Sequence, residues 1–245
     1  MELTILGMNG PFPAPESGCS GYLVTAGETA VSLDLGCGTL ARLTGRIPPE
    51  ELTAMLFSHW HGDHCSDVLP LIYRLASVQA AQGADYRPMP VYGPEDTTSP
   101  VWREVKSCPL FALHTVQPGE KLALGTLDVT VFAARHPVPA VMYRLESAGK
   151  CLAFTGDTNT TADLPALADK ADLLLADGLF PQRAWGEQKP HLSARLCAEL
   201  AQQAGAKRLV ITHLNPDYDP ATLLKEAREV LPTAELAQLG RTYRL

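Results

Sequence analysis

The sequence predicts an α/β protein whose helices lie in layers against β-sheets. Two features predict it. Apolar strand hairpins come first, and strands alternating with helices then follow, twice over. Histidines and carboxylates recur at or just beyond the ends of those strands, and a layered sheet gathers such ends along one edge. There is no internal repeat and no linker with a shift in composition, so residues 1–245 read as one domain.

Taken in order, residues 2–7 read as a strand and the Gly- and Pro-rich stretch 9–18 as a loop. Residues 21–25 and 30–35 are apolar and β-branched, and Ala26-Gly27-Glu28 between them signals a hairpin. The short apolar run 53–57 is a buried strand, and 69–81 is a helix. A short strand at 90–93 precedes a helix over 98–106, with Pro100 in its first turn. Strands follow at 110–116, 121–124 and 127–134, separated by glycine turns. A second hairpin, 141–146 and 151–154, turns at Ala148-Gly149-Lys150. A short helix at 163–170, a buried strand at 171–176 and a Pro- and Gly-broken loop at 181–190 come next. His191-Leu192-Ser193 opens a helix to about Ala204, with Ser193 as its N-cap. A strand at 209–212, a helix at 220–229 and a strand at 234–239 complete the chain.

Composition limits what the protein does. Hydrophobic content of 46% with 19% charged residues describes a globular protein with ample core. The net charge of −7 argues against a large nucleic-acid footprint, because binding a phosphate backbone needs a basic surface. The opening Met1-Glu2-Leu3-Thr4-Ile5-Leu6-Gly7 has no basic start and no long apolar run, so no signal peptide is expected, and no stretch has the length of a membrane span. The six cysteines are scattered without a Cys-x-x-Cys pair, which predicts free thiols and a cytoplasmic protein.

The densest chemistry lies in Ser58-His59-Trp60-His61-Gly62-Asp63-His64-Cys65. Three of the seven histidines fall within six consecutive positions, with a carboxylate among them. Imidazole with carboxylate suits zinc, and also manganese or iron. In extended backbone, residues two apart point the same way, so His59 and His61 converge on one ion. The adjacent Asp63 and His64 diverge and are available to a second. Cys65 fits a small buried packing residue better than a ligand.

Other candidates follow the same logic of strand ends. Asp34, ahead of Gly36-Cys37-Gly38, either holds a metal ligand in place from behind or caps the turn. His136 leaves a strand for the Pro-rigidified Pro137-Val138-Pro139, while His114 has no acidic or histidine neighbour and reads as an ordinary strand residue. Asp157, in Thr155-Gly156-Asp157-Thr158, is placed either to bridge two cations or to cap a helix. His213 ends the strand at 209–212. With His59, His61, Asp63 and His64, these make seven ligands for two ions, enough for open sites that keep a water.

The motif resembles the His-x-His-x-Asp-His signature of the metallo-β-lactamase-fold hydrolases. In that fold the motif is followed by a lone His, then an Asp, then a late His. The same order stands here in His136, Asp157 and His213, so the resemblance covers nearly the whole chain. It implies a four-layer αββα sandwich holding two divalent metal ions, zinc first, with manganese or iron as alternatives. His59, His61 and His136 would hold one ion, Asp63, His64 and His213 the other, and Asp157 would bridge them. His191-Leu192-Ser193 and the following stretch from Glu199 to His213 are similar to the C-terminal part of ribonuclease Z and related phosphodiesterases. That closer resemblance implies that His191 assists phosphoryl chemistry and that Asp177 supports it.

One departure narrows the substrate. Only 21 positions separate His136 from Asp157, the interval in which ribonuclease Z carries a long Gly/Pro-rich arm that grips tRNA. The expected activity is hydrolysis of a small phosphodiester, a cyclic nucleotide or a short RNA, by a water acidified between two ions to a pKa of about 7. Asp63 would ligate one metal and also orient that water or accept its proton. Arg183, Trp185 and Lys189, in the loop before His191, are placed to flank the pocket, with Trp185 either stacking on a base or lying in a mobile surface loop. The alternatives are hydrolysis of a carboxylic ester, thioester, lactone or β-lactam, and a metal-binding or sensing module without catalysis. The expected partners are a small-molecule or short nucleotide substrate, no membrane, and a second copy in a homodimer.

Overall fold

Strand alternation decides the architecture. In the computed structural model, which describes residues 1–245, two mixed sheets pack face to face and helices cover their outer faces. The first sheet contains β1 (Glu2–Gly7), β2 (Gly21–Ala26), β3 (Thr29–Leu35), β4 (Ala54–Leu56), β5 (Met89–Gly93) and β6 (Phe111–Thr115), in that order. The second contains β7 (Lys121–Leu124), β8 (Leu127–Ala133), β9 (Val141–Ser147), β10 (Lys150–Phe154), β11 (Leu173–Asp177), β12 (Leu209–Thr212) and β13 (Glu235–Leu236). A last strand, β14 (Thr242–Arg244), returns to pair with β1. Each sheet is antiparallel where hairpins build it and parallel where helices intervene. β1–β3 and β7–β10 are antiparallel, while β3–β6 and β10–β13 are parallel.

Side chains alternate between two cores, as a period of two requires. Leu3, Ile5, Tyr22, Val24, Leu152, Phe154, Leu173, Leu175 and Val210 point between the sheets. Their neighbours Leu6 and Leu23 point outward to α1 (Thr39–Thr44), α3 (Val68–Gln82) and α4 (Pro100–Ser107), through Leu43, Leu71 and Trp102. On the other side, Ala153, Leu174 and Ile211 meet α5 (Leu164–Ala168), α6 (Ala194–Ala204) and α7 (Pro220–Arg228). The result is the αββα sandwich of the metallo-β-lactamase fold.

Most predicted elements appear within a residue or two of their expected ends. Pro100 does not break its helix; it is the first helical residue, where no N–H is needed, and Ser99 Oγ caps the turn by accepting from Trp102 N at 3.3 Å. Ser193 caps α6, accepting from Leu196 N at 3.1 Å, so His191 lies outside the helix rather than opening it. The last expected strand shrinks to Glu235–Leu236. Two helices and one strand were not expected. The helix α1 spans only 6 residues after a left-handed Gly38 and α2 (Gly62–Cys65) only 4, too short for a periodic pattern. The strand β14 exists because it pairs with β1 at the opposite end of the chain.

Two buried tyrosines cross the gap between the sheets beneath the strand ends. Tyr143 of β9 donates to the Phe57 carbonyl at 2.8 Å, and Tyr22 of β2 shares a hydrogen bond with Thr212 Oγ1 of β12 at 2.8 Å. Tyr143→Phe keeps the ring and leaves the Phe57 carbonyl without its partner. Chemical denaturation is expected to show a loss of about 1–3 kcal/mol, the cost of a buried polar group left unsatisfied.

Candidate metal centre

The motif begins where β4 ends. Phe57 still bonds as a strand, its N–H donating to the Tyr92 carbonyl at 2.7 Å, and His61 then starts the short helix α2 (Gly62–Cys65) from an extended conformation. The extended stretch turns His59 and His61 the same way: His59 Nε2 and His61 Nδ1 lie 3.0 Å apart. His136, leaving β8, completes the trio with its Nε2 3.1 Å from His61 Nδ1. The helical turn then brings Asp63 and His64 to a second focus. There Asp63, His64, Asp157 and His213 offer ligand atoms all within 4.8 Å of one another. Asp157 reaches both groups, 3.6 Å from His59 Nε2 and 3.2 Å from His64 Nε2. All seven residues from four separate regions of sequence therefore meet at one place.

These donors fit cations better than they fit each other. Ser58 Oγ gives its proton to Asp34 Oδ2 at 2.9 Å, so it accepts from His59 Nδ1 at 3.0 Å and leaves His59 Nε2 bare. His136 Nδ1 faces the Pro190 carbonyl at 3.3 Å, a pure acceptor, which leaves His136 Nε2 bare as well. Both bare nitrogens point at His61 Nδ1, which has at most one proton to give. Around a tetrahedral zinc, nitrogen ligands lie roughly 3.3 Å apart, close to this spacing. At the second focus His64 Nε2 and Asp157 Oδ1 are buried and, although 3.2 Å apart, form no hydrogen bond, while His213 Nε2 stands 3.2 Å from Asp63 Oδ2 and 3.4 Å from Asp157 Oδ2. Orphaned buried polar atoms of this kind call for an ion. A third grouping, Asp157, Asp177, His191 and His213, is also compact. There, however, His191 Nδ1 and Asp177 Oδ2 satisfy each other at 2.7 Å.

The electrostatics differ between the two foci. Burial, reinforced by the charge on His64, holds His59 well below the usual imidazole range. Burial likewise lowers His61 and His136. The trio is thus neutral, the form in which imidazole ligates. At the second focus burial is outweighed by carboxylates. Asp157 and Asp34 push His64 well above its ordinary value, and Asp157 and Asp177 carry His213 up to about 10. Burial works against Asp157 ionising, yet His213 and His64 hold its carboxyl well below the usual range. A divalent ion supplies the same positive charge without a proton.

Residues behind the donors fix their aim. Asp34, fully buried at the end of β3, accepts from Ser58 N at 2.7 Å and from His64 Nδ1 at 2.8 Å. Of the two roles open to it in the sequence, it orients a candidate ligand. Gly10, in the loop expected at 9–18, presses against the His213 ring: a Cβ there would stand 1.9 Å from His213 Nε2. Sequence reasoning assigned no role to Gly10 or Ser58, whose partners lie far along the chain or follow only from the motif's folded shape. His114 is exposed and stacks on Tyr92 with centroids 4.8 Å apart, away from the cluster. Cys65 is buried, with Sγ 3.1 Å from the His61 carbonyl, as a packing residue should be. Trp185 is half-buried and donates its indole N–H to Asn159 Oδ1 at 3.2 Å.

Asp34 has a left-handed backbone, φ 55, which Asn also adopts readily. Asp34→Asn therefore keeps the turn and removes one acceptor from the bonds that aim His64. Competition with a chromogenic chelator is expected to show metal affinity falling about 10–100-fold.

Comparison with known proteins agrees with the geometry. The chain is 29% identical over 234 residues to the probable metallo-hydrolase YhfI of Bacillus subtilis, covering 94% of this chain and 93% of that one. The crystal structure of that metallo-β-lactamase-fold protein superposes with a TM-score of 0.91 over 99% of this chain and 98% of the other, at 28% identity. Ribonuclease Z of Methanopyrus kandleri is 26% identical over 281 aligned positions, 100% of this chain and 98% of that enzyme. A β-lactamase superfamily domain matches residues 32–214, a span that holds every candidate ligand. The chain therefore belongs to the β-lactamase superfamily, among the metal-dependent hydrolases of the metallo-β-lactamase fold.

Proposed function

We propose that the protein is a phosphodiesterase acting on a small phosphodiester, a cyclic nucleotide or a short RNA. The observation that carries this reading is the His191–Asp177 pair. His191 is 7% exposed, and its ring lies 4.9 Å from that of His213 and 5.4 Å from that of His136. With Nδ1–H given to Asp177, Nε2 is the atom left to face a substrate. Asp177 is itself anchored: Oδ2 accepts from Thr158 N at 3.3 Å and Oδ1 from Leu179 N at 3.2 Å. A fixed proton donor beside the cluster suits a phosphate, whose charge and leaving oxygen both need one.

The roles of the other residues follow. Divalent ions in the cluster, zinc first, would supply Lewis acidity toward the phosphoryl oxygens and an acidified water at neutral pH. His59, His61 and His136 would hold one of them, Asp63, His64 and His213 the other, with Asp157 between. Asp63 is the carboxylate nearest solvent, its side chain 11% exposed against 3% for Asp157, so it is placed to orient the attacking water and accept its proton. In its imidazolium form, with Nδ1–H held by Asp177, His191 donates Nε2–H to the leaving oxygen. Beside His136, Arg135, Glu187 and Lys189 line a polar cleft of about 220 Å³, where a diester's remaining group would lie.

Size and charge favour a small substrate. Between His136 and Asp157 the chain runs directly through the β9–β10 hairpin, which leaves no residues for a tRNA-gripping arm. Solved relatives of the same fold include the short form of human tRNase Z, with a TM-score of 0.77 at 20% identity, and a diphosphatase of the PhnP family, with a TM-score of 0.72 at 20% identity. They show the shared fold.

With metal supplied, the protein is expected to hydrolyse bis-p-nitrophenyl phosphate or a cyclic nucleotide faster than a lactone, a thioester or nitrocefin. Fastest turnover of one of the last three would replace this reading with a carboxyl-group hydrolase. Protein that holds metal and turns over no substrate on the panel would indicate a sensing module. His191→Ala should keep its metal content by elemental analysis while kcat falls about 10²–10⁴-fold, the usual weight of general-acid help. Asp63→Ala should abolish turnover and also lose metal.

A further inference from the structure

Asn159 is a fully buried amide that belongs to neither donor group and has no part in the roles above. It lies two residues past Asp157, in irregular backbone, and its polar atoms are all engaged. Nδ2 donates to the Gly186 carbonyl at 3.0 Å and the Lys189 carbonyl at 2.6 Å. Oδ1 accepts from Trp185 Nε1 at 3.2 Å and from Thr160 N at 2.6 Å. Its main-chain N–H donates to the Arg135 carbonyl at 3.0 Å. One side chain thus fastens the strap 181–190 through Trp185, Gly186 and Lys189, with the Glu187 carbonyl also 3.5 Å from Nδ2, while its backbone fastens the residue before His136.

The strap matters because of what it carries at its end. Its base is closed by Phe180, whose N–H donates to the Leu192 carbonyl at 3.3 Å and whose carbonyl accepts from Ala194 N at 3.0 Å. Pro190, its last residue, holds its carbonyl against His136 Nδ1 at 3.3 Å, and His191 comes next. Where the strap lies therefore decides the aim of His136 and the place of His191 together. The hub must offer two donors to carbonyls and an acceptor to an indole N–H, a combination that a primary amide provides.

We propose that Asn159 is a positioning residue: its amide ties the strap to the centre, so that Pro190 aims His136 at the first ion and His191 faces the substrate. Asn159 acts through those two imidazoles. Its effect on turnover rests on the phosphodiesterase reading; its effect on the strap and on metal affinity does not.

Trp60 and Trp102 are only 3% and 5% exposed, so acrylamide quenching of tryptophan fluorescence reports chiefly on Trp185. Asn159→Asp has the same shape without the donors, and Asn159→Ser keeps one small donor and adds no charge. In the metal-free protein, Asn159→Asp is expected to raise the quenching constant, with Asn159→Ser in between. Chelator competition should show one metal equivalent bound about 10–100-fold more weakly in Asn159→Asp, the range for residues that aim a ligand. The kcat on bis-p-nitrophenyl phosphate should fall, with the circular dichroism spectrum unchanged. Wild-type quenching and metal affinity in both variants would overturn the assignment. So would increased quenching with metal affinity and kcat unchanged, or loss of the fold in both variants, which would make the amide a general structural support. If wild-type protein turns over no phosphodiester, the functional reading fails, and the quenching and metal measurements still decide the role of Asn159.

Discussion

Asp157 is a carboxylate buried to 3% exposure, with imidazoles of His59, His64, His191 and His213 all within 3.7 Å. A buried charge persists only where opposite charge and hydrogen bonds surround it. That requirement shapes the rest of the centre. His213 and His64 lean toward it as ion partners, Asp34 and Asp177 hold the far sides of His64 and His191, and Asp63 shares His213 at 3.2 Å. Removing one member leaves another charge stranded, so the cluster behaves as a unit.

The sandwich is what allows such a unit to assemble. β4 and β12 belong to different sheets, yet the residues that follow them, His59 to His64 and His213, face one another across a single edge. The hydrogen bonds of Tyr143 and Tyr22 run between the sheets just below, among the apolar side chains of the central core. They fix the spacing of the two edges more sharply than apolar contact alone, because a hydrogen bond tolerates little change in distance. Ligand distances of about 3 Å between atoms on different sheets need that kind of control.

Much of this was legible in the sequence because its logic is local. His59 and His61 alternate in extended backbone, a pattern that two residues reveal. His136, Asp157 and His213 were found because each closes an apolar strand, and Ser193 because a cap precedes its helix. What was not legible depends on pairs distant in sequence. Gly10 matters through His213, Tyr143 through the Phe57 carbonyl, and Asn159 through a strap nearly thirty residues on. The role of Asp34 was narrowed to two, since its turn is visible locally but its partner His64 is not. A glycine or an asparagine in a loop carries no periodicity, and only the folded chain shows what presses on it.

Asp34 and His213, one at the edge of each sheet, both have positive φ, 55 and 56. Most side chains avoid that conformation, and here it swings a functional group off the strand axis toward its counterpart. Transplanting these two residues onto the regular strands of another scaffold would copy their identities and miss their directions. A designer who wants this centre elsewhere must graft the two bent strand exits along with the side chains they carry.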